Sequence, residues 1–262
     1  MDGANQKVVI IGADGQLGKE LGKLVPNIPL THKDIEVAKK IKPINKLVIN
    51  CAAFHDVSGC EEDPEKAFRV NAWGAYNVAR AAKEVVFIST DYVFDGRKKS
   101  PYLEKDLVNP INIYGASKAA GENLVRMANK NHFIIRTSAL YGGVSKKGWT
   151  FPELMLKKAR NQEEIKVADD LYTATTYVSD LARAIIKLIK TKKFGTYHIT
   201  NKGGVSWYDF AREIFRIKNL DYPIEPIKYN GDIVRPKNSV LGSAKIVLRP
   251  WKKALAEYLE LT

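Results

Sequence analysis

The stretch "VVIIGADGQLG", residues 8–18, decides how the rest of the chain is read. Four apolar residues make a short strand, and Gly12, Gly15 and Gly18 then follow in the order G-x-x-G-x-x-G, with Gln16 and Leu17 between the last two, as a helix opens from about Leu17. Glycines at such a turn let the backbone approach a pyrophosphate, whose charge is met by free N–H groups and the positive end of the helix. Three glycines alone say little. The strand before and the helix after them are the context a dinucleotide loop requires.

Working outward, short apolar strands at 7–11, near 28–31, "KLVINCA" (46–52), "VVFIS" (85–89) and "HFIIRTS" (132–138) alternate with helical stretches. Two of these helices are "EKAFRVNAWGAYNVARAAKE" (65–84) and the run from Tyr114 to Met127. The alternation is that of βαβ units, so the fold class is α/β: a Rossmann-type, doubly wound parallel sheet. "AAKEVVFIS" passes from helix to strand with no turn residues, where a loop of roughly two to six is usual. Either the chain is economical there or loop residues are absent from it. After Tyr141 the alternation loosens, with amphipathic helices in "WTFPELMLKKARNQ", "YVSDLARAIIKLIK" and "SWYDFAREIFRI", a strand in "GTYHITN" and a last helix at 251–260. Residues 1–143 therefore read as the dinucleotide-binding domain, with 175–205 returning to it. Residues 144–174 and 206–262 read as a smaller C-terminal substrate-binding lobe.

At 262 residues and 45% hydrophobic content the chain can fill a core, which excludes disorder. Cys51 and Cys60 show no CxxC spacing, which suits a reducing, cytoplasmic compartment and argues against a structural zinc site; no metal site is expected. No apolar run approaches the roughly 18 residues of a membrane span. The formal charge of +13 is scattered through "AKKIKP", "GRKKS", "SKKG" and "KTKK" without a basic helix or a zinc-finger spacing. That pattern disfavours nucleic acid and leaves a solvated surface or an anionic small-molecule substrate.

A carboxylate at the tip of the second strand would hold the ribose diol of NAD, whereas a basic group there tolerates the phosphate of NADP. Here the tip reads "LTHKD", so Lys33 precedes Asp34 and NADPH is favoured, with NADH as the alternative. Strand "VVFIS" ends at Ser89, Thr90, Asp91 and Tyr92, where the carboxyl edge of an open sheet places a ligand. Tyr114 and Lys118 in "YGASK" lie four apart on one helix face. A neighbouring ammonium, with a nicotinamide carrying positive charge, would bring the phenol toward neutral pH and make Tyr114 an acid. Among 12 tyrosines the spacing alone is weak; its position after a strand-end Ser/Thr strengthens it.

The phosphate loop, "STDYVFDG", "NPINIYGASKAAGE", "IIRTS", "SWYDFAREIF", "RPKNSV" and "PWKKALAEYL" together resemble the dTDP-4-dehydrorhamnose reductases, an extended short-chain dehydrogenase/reductase family. The likeness runs over nearly the whole chain in the family's order. It implies NADPH-dependent reduction of the C4 ketone of a nucleotide-linked 6-deoxy-4-keto sugar, with dTDP-4-dehydro-L-rhamnose as substrate. It carries a catalytic set onto Thr90, Tyr114 and Lys118, with Tyr114 and Lys118 also touching the cofactor. Gly12, Gly15, Gln16, Leu17, Gly18, Lys33, Asp34, Ile35, Ala52, Ala53 and Phe54 become cofactor contacts, and Val57, Thr90, Asp91, Tyr92 and Ala139 line the sugar pocket. Asn71 matches a helix residue whose amide supports structure. Expected partners are the dTDP-sugar and a second copy in a homodimer, with neither nucleic acid nor membrane.

Related sugar-nucleotide dehydratases carry Asp-Glu after the threonine, and here Asp91-Tyr92 lacks the second carboxylate. Two other readings stay open: a reductase or epimerase of another sugar nucleotide, and a non-catalytic dinucleotide-binding subunit resembling the regulatory subunit of methionine adenosyltransferase. Three departures bear on the sugar. Ala139 stands where the family commonly has Trp, Ser58-Gly59 replace an Asp-Lys pair, and Thr175 replaces a Pro. Loss of an aromatic contact can change binding by about 1 kcal/mol.

Overall fold

The computed structural model describes residues 7–143 and 148–261; the parts of the expected domain ranges at 1–6, 144–147 and 262 lie outside the described residues. In chain order the elements begin with β1 (Val8–Ile11), α1 (Gln16–Leu24), β2 (Asn27–Leu30) and β3 (Leu47–Asn50). Next come α2 (Val57–Glu62), α3 (Pro64–Phe68), α4 (Gly74–Ala81), β4 (Glu84–Thr90), α5 (Ile113–Ala128) and β5 (His132–Thr137). Then follow β6 (Leu140–Tyr141), α6 (Phe151–Arg160), β7 (Lys166–Ala168), β8 (Tyr172–Thr173), β9 (Thr176–Tyr177), α7 (Val178–Lys190) and β10 (Gly195–His198). Last are β11 (Val205–Ser206), α8 (Trp207–Ile217), β12 (Glu225–Ile227) and α9 (Trp251–Glu260).

Six parallel strands form one sheet in the order β2-β1-β3-β4-β5-β10. Alternate strand residues serve opposite faces. Val8, Ile10, Ile49, Val86, Phe133 and Ile135 pack against Leu17 and Leu21 of α1 and Leu181, Ile185 and Ile189 of α7. Val9, Ile11, Val48, Val85, Phe87 and Ile134 turn the other way onto Ala75, Val78 and Ala79 of α4 and Val125 of α5. Helices on both faces explain why the strands are apolar runs rather than alternating ones. Because β1 is flanked by β2 on one side and β3 on the other, the strand order reverses at β1, and a crevice opens at the carboxyl ends there.

The long helix expected over 65–84 is α3 and α4 joined by a π-helical turn at Arg69–Trp73, and it stops at Ala81 because Glu84 is already strand. The two-residue connection is held from a distance: Asn129 Nδ2 donates to the carbonyls of Ala79 and Ala82, and Lys83 N to Lys46 O. The tight join is thus a capped turn. Between β2 and β3 the chain crosses without a helix. Ile35, Val37, Ile41 and Ile44 fasten this coil to the α4 face, Asn77 Nδ2 donates to Val37 O, and Ile44 N to Ala81 O. A separate apolar cluster gathers Met155, Val167, Phe210, Ile214, Trp251, Leu255 and Tyr258 from α6, β7, α8 and α9.

Candidate active site

The phosphate loop is built by close approach. A Cβ on Gly18 would lie 2.4 Å from Gly12 O, so only glycine lets α1 start against the turn. Gly15 is the N-cap and supplies no side chain, which leaves the first-turn amides of α1 without intrahelical acceptors. Gln16 Nε2 donates to Gly142 O and ties this turn to the end of β6. The cradle therefore fits a pyrophosphate. At the tip of β2, Asp34 folds back: its Oδ2 accepts from Thr31 N and Thr31 Oγ1, both at 2.8 Å. Those bonds hold the Asp34 carboxyl below its ordinary value. Lys33 beside it is exposed.

At the opposite side of the crevice, Thr90 ends β4 and caps a short 3-10 turn, Asp91–Val93, by accepting from Tyr92 N at 3.2 Å. Helix α5 crosses this turn so closely that a Cβ on Gly115 would fall 2.1 Å from Tyr92 O. The missing side chain sets Tyr114 against the strand end. Its ring stands edge-on to Tyr92 at 5.9 Å, and the Thr90 hydroxyl is near enough to act on the phenol. The start of α5 is fixed by Asn112, whose side chain accepts from Gly115 N at 2.8 Å, and by Glu61, which accepts from Ile113 N at 2.7 Å. One turn on, Lys118 is only 1% exposed; its Nζ donates to Ile88 O at 2.6 Å and lies 4.1 Å from the centre of the Phe87 ring.

Burial pushes the Tyr114 phenol well up, because desolvation and the nearby Asp91 charge outweigh the Thr90 hydroxyl, while the Lys118 ammonium donates to the β4 carbonyl; the expected move toward neutrality belongs to a phenol beside a positively charged nicotinamide. Lys118 itself is pushed down to about 7 by burial, partly offset by Glu122. Between pH 7 and 10.5 the native state thus binds fewer protons than the unfolded chain, and stability rises with pH over that window. Lys118→Met is expected to be more stable than the parent at pH 7 by a few kcal/mol, on the order of 1.4 kcal/mol per pKa unit. The advantage should shrink as pH approaches 10. Urea titrations at pH 7 and 10 test this, and an equal difference at both would refute it.

A cavity of about 530 Å³ joins these parts. Gly15, Gln16, Leu17, Gly18, Ala53, Val57, Thr90, Asp91, Tyr92, Tyr114, Lys118 and Ala139 all line it. Lys33, Asp34, Ile35, Gly12, Ala52 and Phe54 do not. Gly12 lies beneath Ala52, Phe54 is clamped through its backbone by the Asn71 amide, and 33–35 sit beyond the phosphate loop at the β2 tip. Asn71 also donates to Ser117 Oγ, so its amide is structural, as expected.

Sequence reasoning missed His55, Phe151, Thr173, Trp207 and Ser239 on the wall. Ser239 lies inside "RPKNSV", one of the stretches that carry the resemblance, and Thr173 lies two positions before Thr175. Although Ala139 presents no ring, Phe151 and Trp207, with centroids 4.7 Å apart, supply an aromatic wall. Ala139 itself adopts a left-handed φ of 42°. The Thr175 hydroxyl is buried without a hydrogen-bond partner. A second groove of about 740 Å³ between α7 and residues 245–249 is rimmed by Arg183, Lys187 and Lys245, away from the strand ends. Among the described residues no three His, Cys, Asp or Glu side chains group so as to hold a metal ion, and no helix is long and apolar enough to cross a membrane.

A Rossmann-like sheet with a strand-end threonine facing a Tyr-x-x-x-Lys helix across a dinucleotide loop defines the class of short-chain dehydrogenase/reductases. The model of the RmlD substrate binding domain family matches residues 6–262, and the chain belongs to this family, that of the dTDP-4-dehydrorhamnose reductases. The spore coat polysaccharide biosynthesis protein SpsK of Bacillus subtilis is 39% identical over 278 aligned positions, covering 97% of each chain. That alignment is longer than this chain, so internal gaps shorten this chain relative to SpsK. A dTDP-4-dehydrorhamnose reductase crystal structure from Clostridium acetobutylicum superposes with a TM-score of 0.90 at 40% identity, covering 98% of this chain and 99% of that one. Another, from Bacillus anthracis in complex with NADP, gives 0.91 at 36%, covering 98% and 100%.

Proposed function

We propose that this chain, an NAD(P)H-dependent oxidoreductase by its family, reduces the C4 ketone of dTDP-4-dehydro-L-rhamnose with NADPH. The observation that carries this is the convergence of Thr90, Tyr114 and Lys118 on one cavity that continues into the phosphate loop. Gly15, Gln16, Leu17 and Gly18 hold the pyrophosphate, and Lys33, Asp34, Ile35, Ala52, Ala53 and Phe54 lie on the adenosine side. A reduced nicotinamide bound there supplies hydride. Tyr114 gives its phenol proton to the carbonyl oxygen, Thr90 orients that oxygen, and Lys118 anchors the cofactor ribose. Val57, Asp91, Tyr92 and Ala139 face the sugar, and the cluster of α6, α8 and α9 forms the substrate-binding lobe of 144–174 and 206–262. The free thiols of Cys51 and Cys60 suit a cytoplasmic enzyme.

NADPH is favoured because the Asp34 carboxylate is spent on Thr31, which leaves Lys33 beside the place of a 2′-phosphate. The meeting of Thr90, Tyr114 and Lys118 on one cavity wall favours an enzyme over a regulatory binding subunit. The test is oxidation of NADPH and of NADH at 340 nm with enzymatically prepared dTDP-4-dehydro-L-rhamnose. Turnover with product formation and a higher rate with NADPH is expected, and Lys33→Ala should narrow the preference by raising KM for NADPH. Cofactor binding without turnover on this sugar would overturn the substrate assignment.

A further inference from the structure

Asp91 is the best-connected buried carboxyl in the site, 4% exposed and bonded to three hydroxyls from three segments. Its Oδ1 pairs with Thr90 Oγ1 at 3.0 Å; its Oδ2 accepts from Ser239 Oγ at 2.5 Å and from Thr173 Oγ1 at 3.4 Å. The ionisable groups around it are the phenols of Tyr92 on its own turn and Tyr114 on α5, with Arg235 serving Tyr92. β8 contributes Thr173, and the 239 turn contributes Ser239. In contrast to Glu122, Asp91 forms no ion pair among the described residues.

The bond from Thr90 to Asp91 decides what the Thr90 hydroxyl can donate elsewhere. A hydroxyl has one hydrogen and two lone pairs. With Asp91 as carboxylate, the Thr90 hydrogen lies on Oδ1 while one of its lone pairs takes the Tyr92 amide. Thr90 then has nothing to donate to a substrate carbonyl. With Asp91 protonated, the carboxyl donates to the other Thr90 lone pair instead, and the Thr90 hydrogen is released toward the cavity.

We propose that Asp91 is a positioning residue whose protonated form makes the site competent, by turning the Thr90 hydroxyl toward the carbonyl, and whose carboxylate form withholds it. This rests on the carbonyl-reduction reading. Burial pushes the Asp91 carboxyl up to about 6, against the lowering effect of Ser239, Thr90 and Thr173, so the switch lies within a working pH range. Activity falls as pH rises through that value.

The test compares pH profiles of kcat for the parent, Asp91→Asn and Ser239→Ala with a 4-keto-6-deoxy nucleotide sugar, alongside carbon-13 carboxyl NMR of the cofactor-free protein. The parent should lose about tenfold in kcat per pH unit above its limb near 6. In Asp91→Asn, whose carboxamide donates to Thr90 at every pH, that limb should vanish whatever the absolute rate. In Ser239→Ala, which loses a donor to the carboxylate, both the limb and the NMR midpoint should move to higher pH. An unchanged limb in both variants, or an Asp91 midpoint below about 4 in the cofactor-free protein, would overturn the proposal. No turnover by the parent at any pH overturns the reduction reading and this role with it, whereas turnover with an unmoved limb overturns this role alone.

Discussion

Replacing Tyr114 with Phe is expected to lower kcat by about 10²–10⁴-fold while NADPH binding, followed by its fluorescence, stays near that of the parent. The change removes one oxygen from a half-buried ring whose edge-on packing on Tyr92 and helix-start position remain. What is lost is the proton donor. Burial raises the phenol, so the limbs expected in the pH profile are those of Asp91, near 6, and Lys118, near 7, rather than one of Tyr114. A Tyr114→Phe enzyme retaining more than about a tenth of parental kcat would remove Tyr114 as the acid and shift attention to Thr90 with cavity water.

The raised phenol also shows where sequence reading stopped. Strands were legible because Val85–Ile88 and Phe133–Ile135 are apolar runs of the length that two covered faces demand, and α5 because Tyr114 and Lys118 of YGASK share one helix face. The coil between β2 and β3 was not legible. Ile35, Val37, Ile41 and Ile44 have no helical period, and only the α4 surface gives them a place. The Ala82–Lys83 turn depends on Asn129, 47 residues from the Ala82 carbonyl it caps. In the site, the YGASK spacing after a strand end pointed to Tyr114 and Lys118 and the resemblance added Thr90, whereas the burial that raises the phenol is reported by no spacing. Asp91 was legible as a cavity residue; its partners at 173 and 239, 82 and 148 residues away, were not.

Arg136→Ala is expected to destabilise the fold by about 3–5 kcal/mol, the cost of leaving a buried charge without its partner. At about 2–4 °C per kcal/mol, Tm should fall by roughly 6–20 °C. Arg136 on β5 meets Glu122 on α5 through Nε at 2.8 Å and Nη2 at 2.7 Å, with both side chains nearly inaccessible. Ser89 on β4 donates to the same carboxylate at 2.7 Å and Arg126 at 2.9 Å. Burial alone would raise Glu122; the Arg136 hydrogen bonds and charge, with Ser89 and Arg126, hold it below its ordinary 4.5. Its contribution is complete above 4.5 and is lost as pH falls through the depressed native value, so the parent and Arg136→Ala should converge in acid. The same carboxylate sits one turn after Lys118 and supports its ammonium, so Glu122→Gln should also drive the Lys118 value further down. The double variant Glu122→Gln/Arg136→Met, which removes both charges, should recover much of the stability lost in Arg136→Ala without restoring the Lys118 value. Thermal melts across pH 3–8 read the first effect and the pH profile of NADPH oxidation reads the second. A double variant as unstable as Arg136→Ala would mean that packing around the guanidinium, including its stacking 5.1 Å from the centre of the Phe94 ring, outweighs the ion pair.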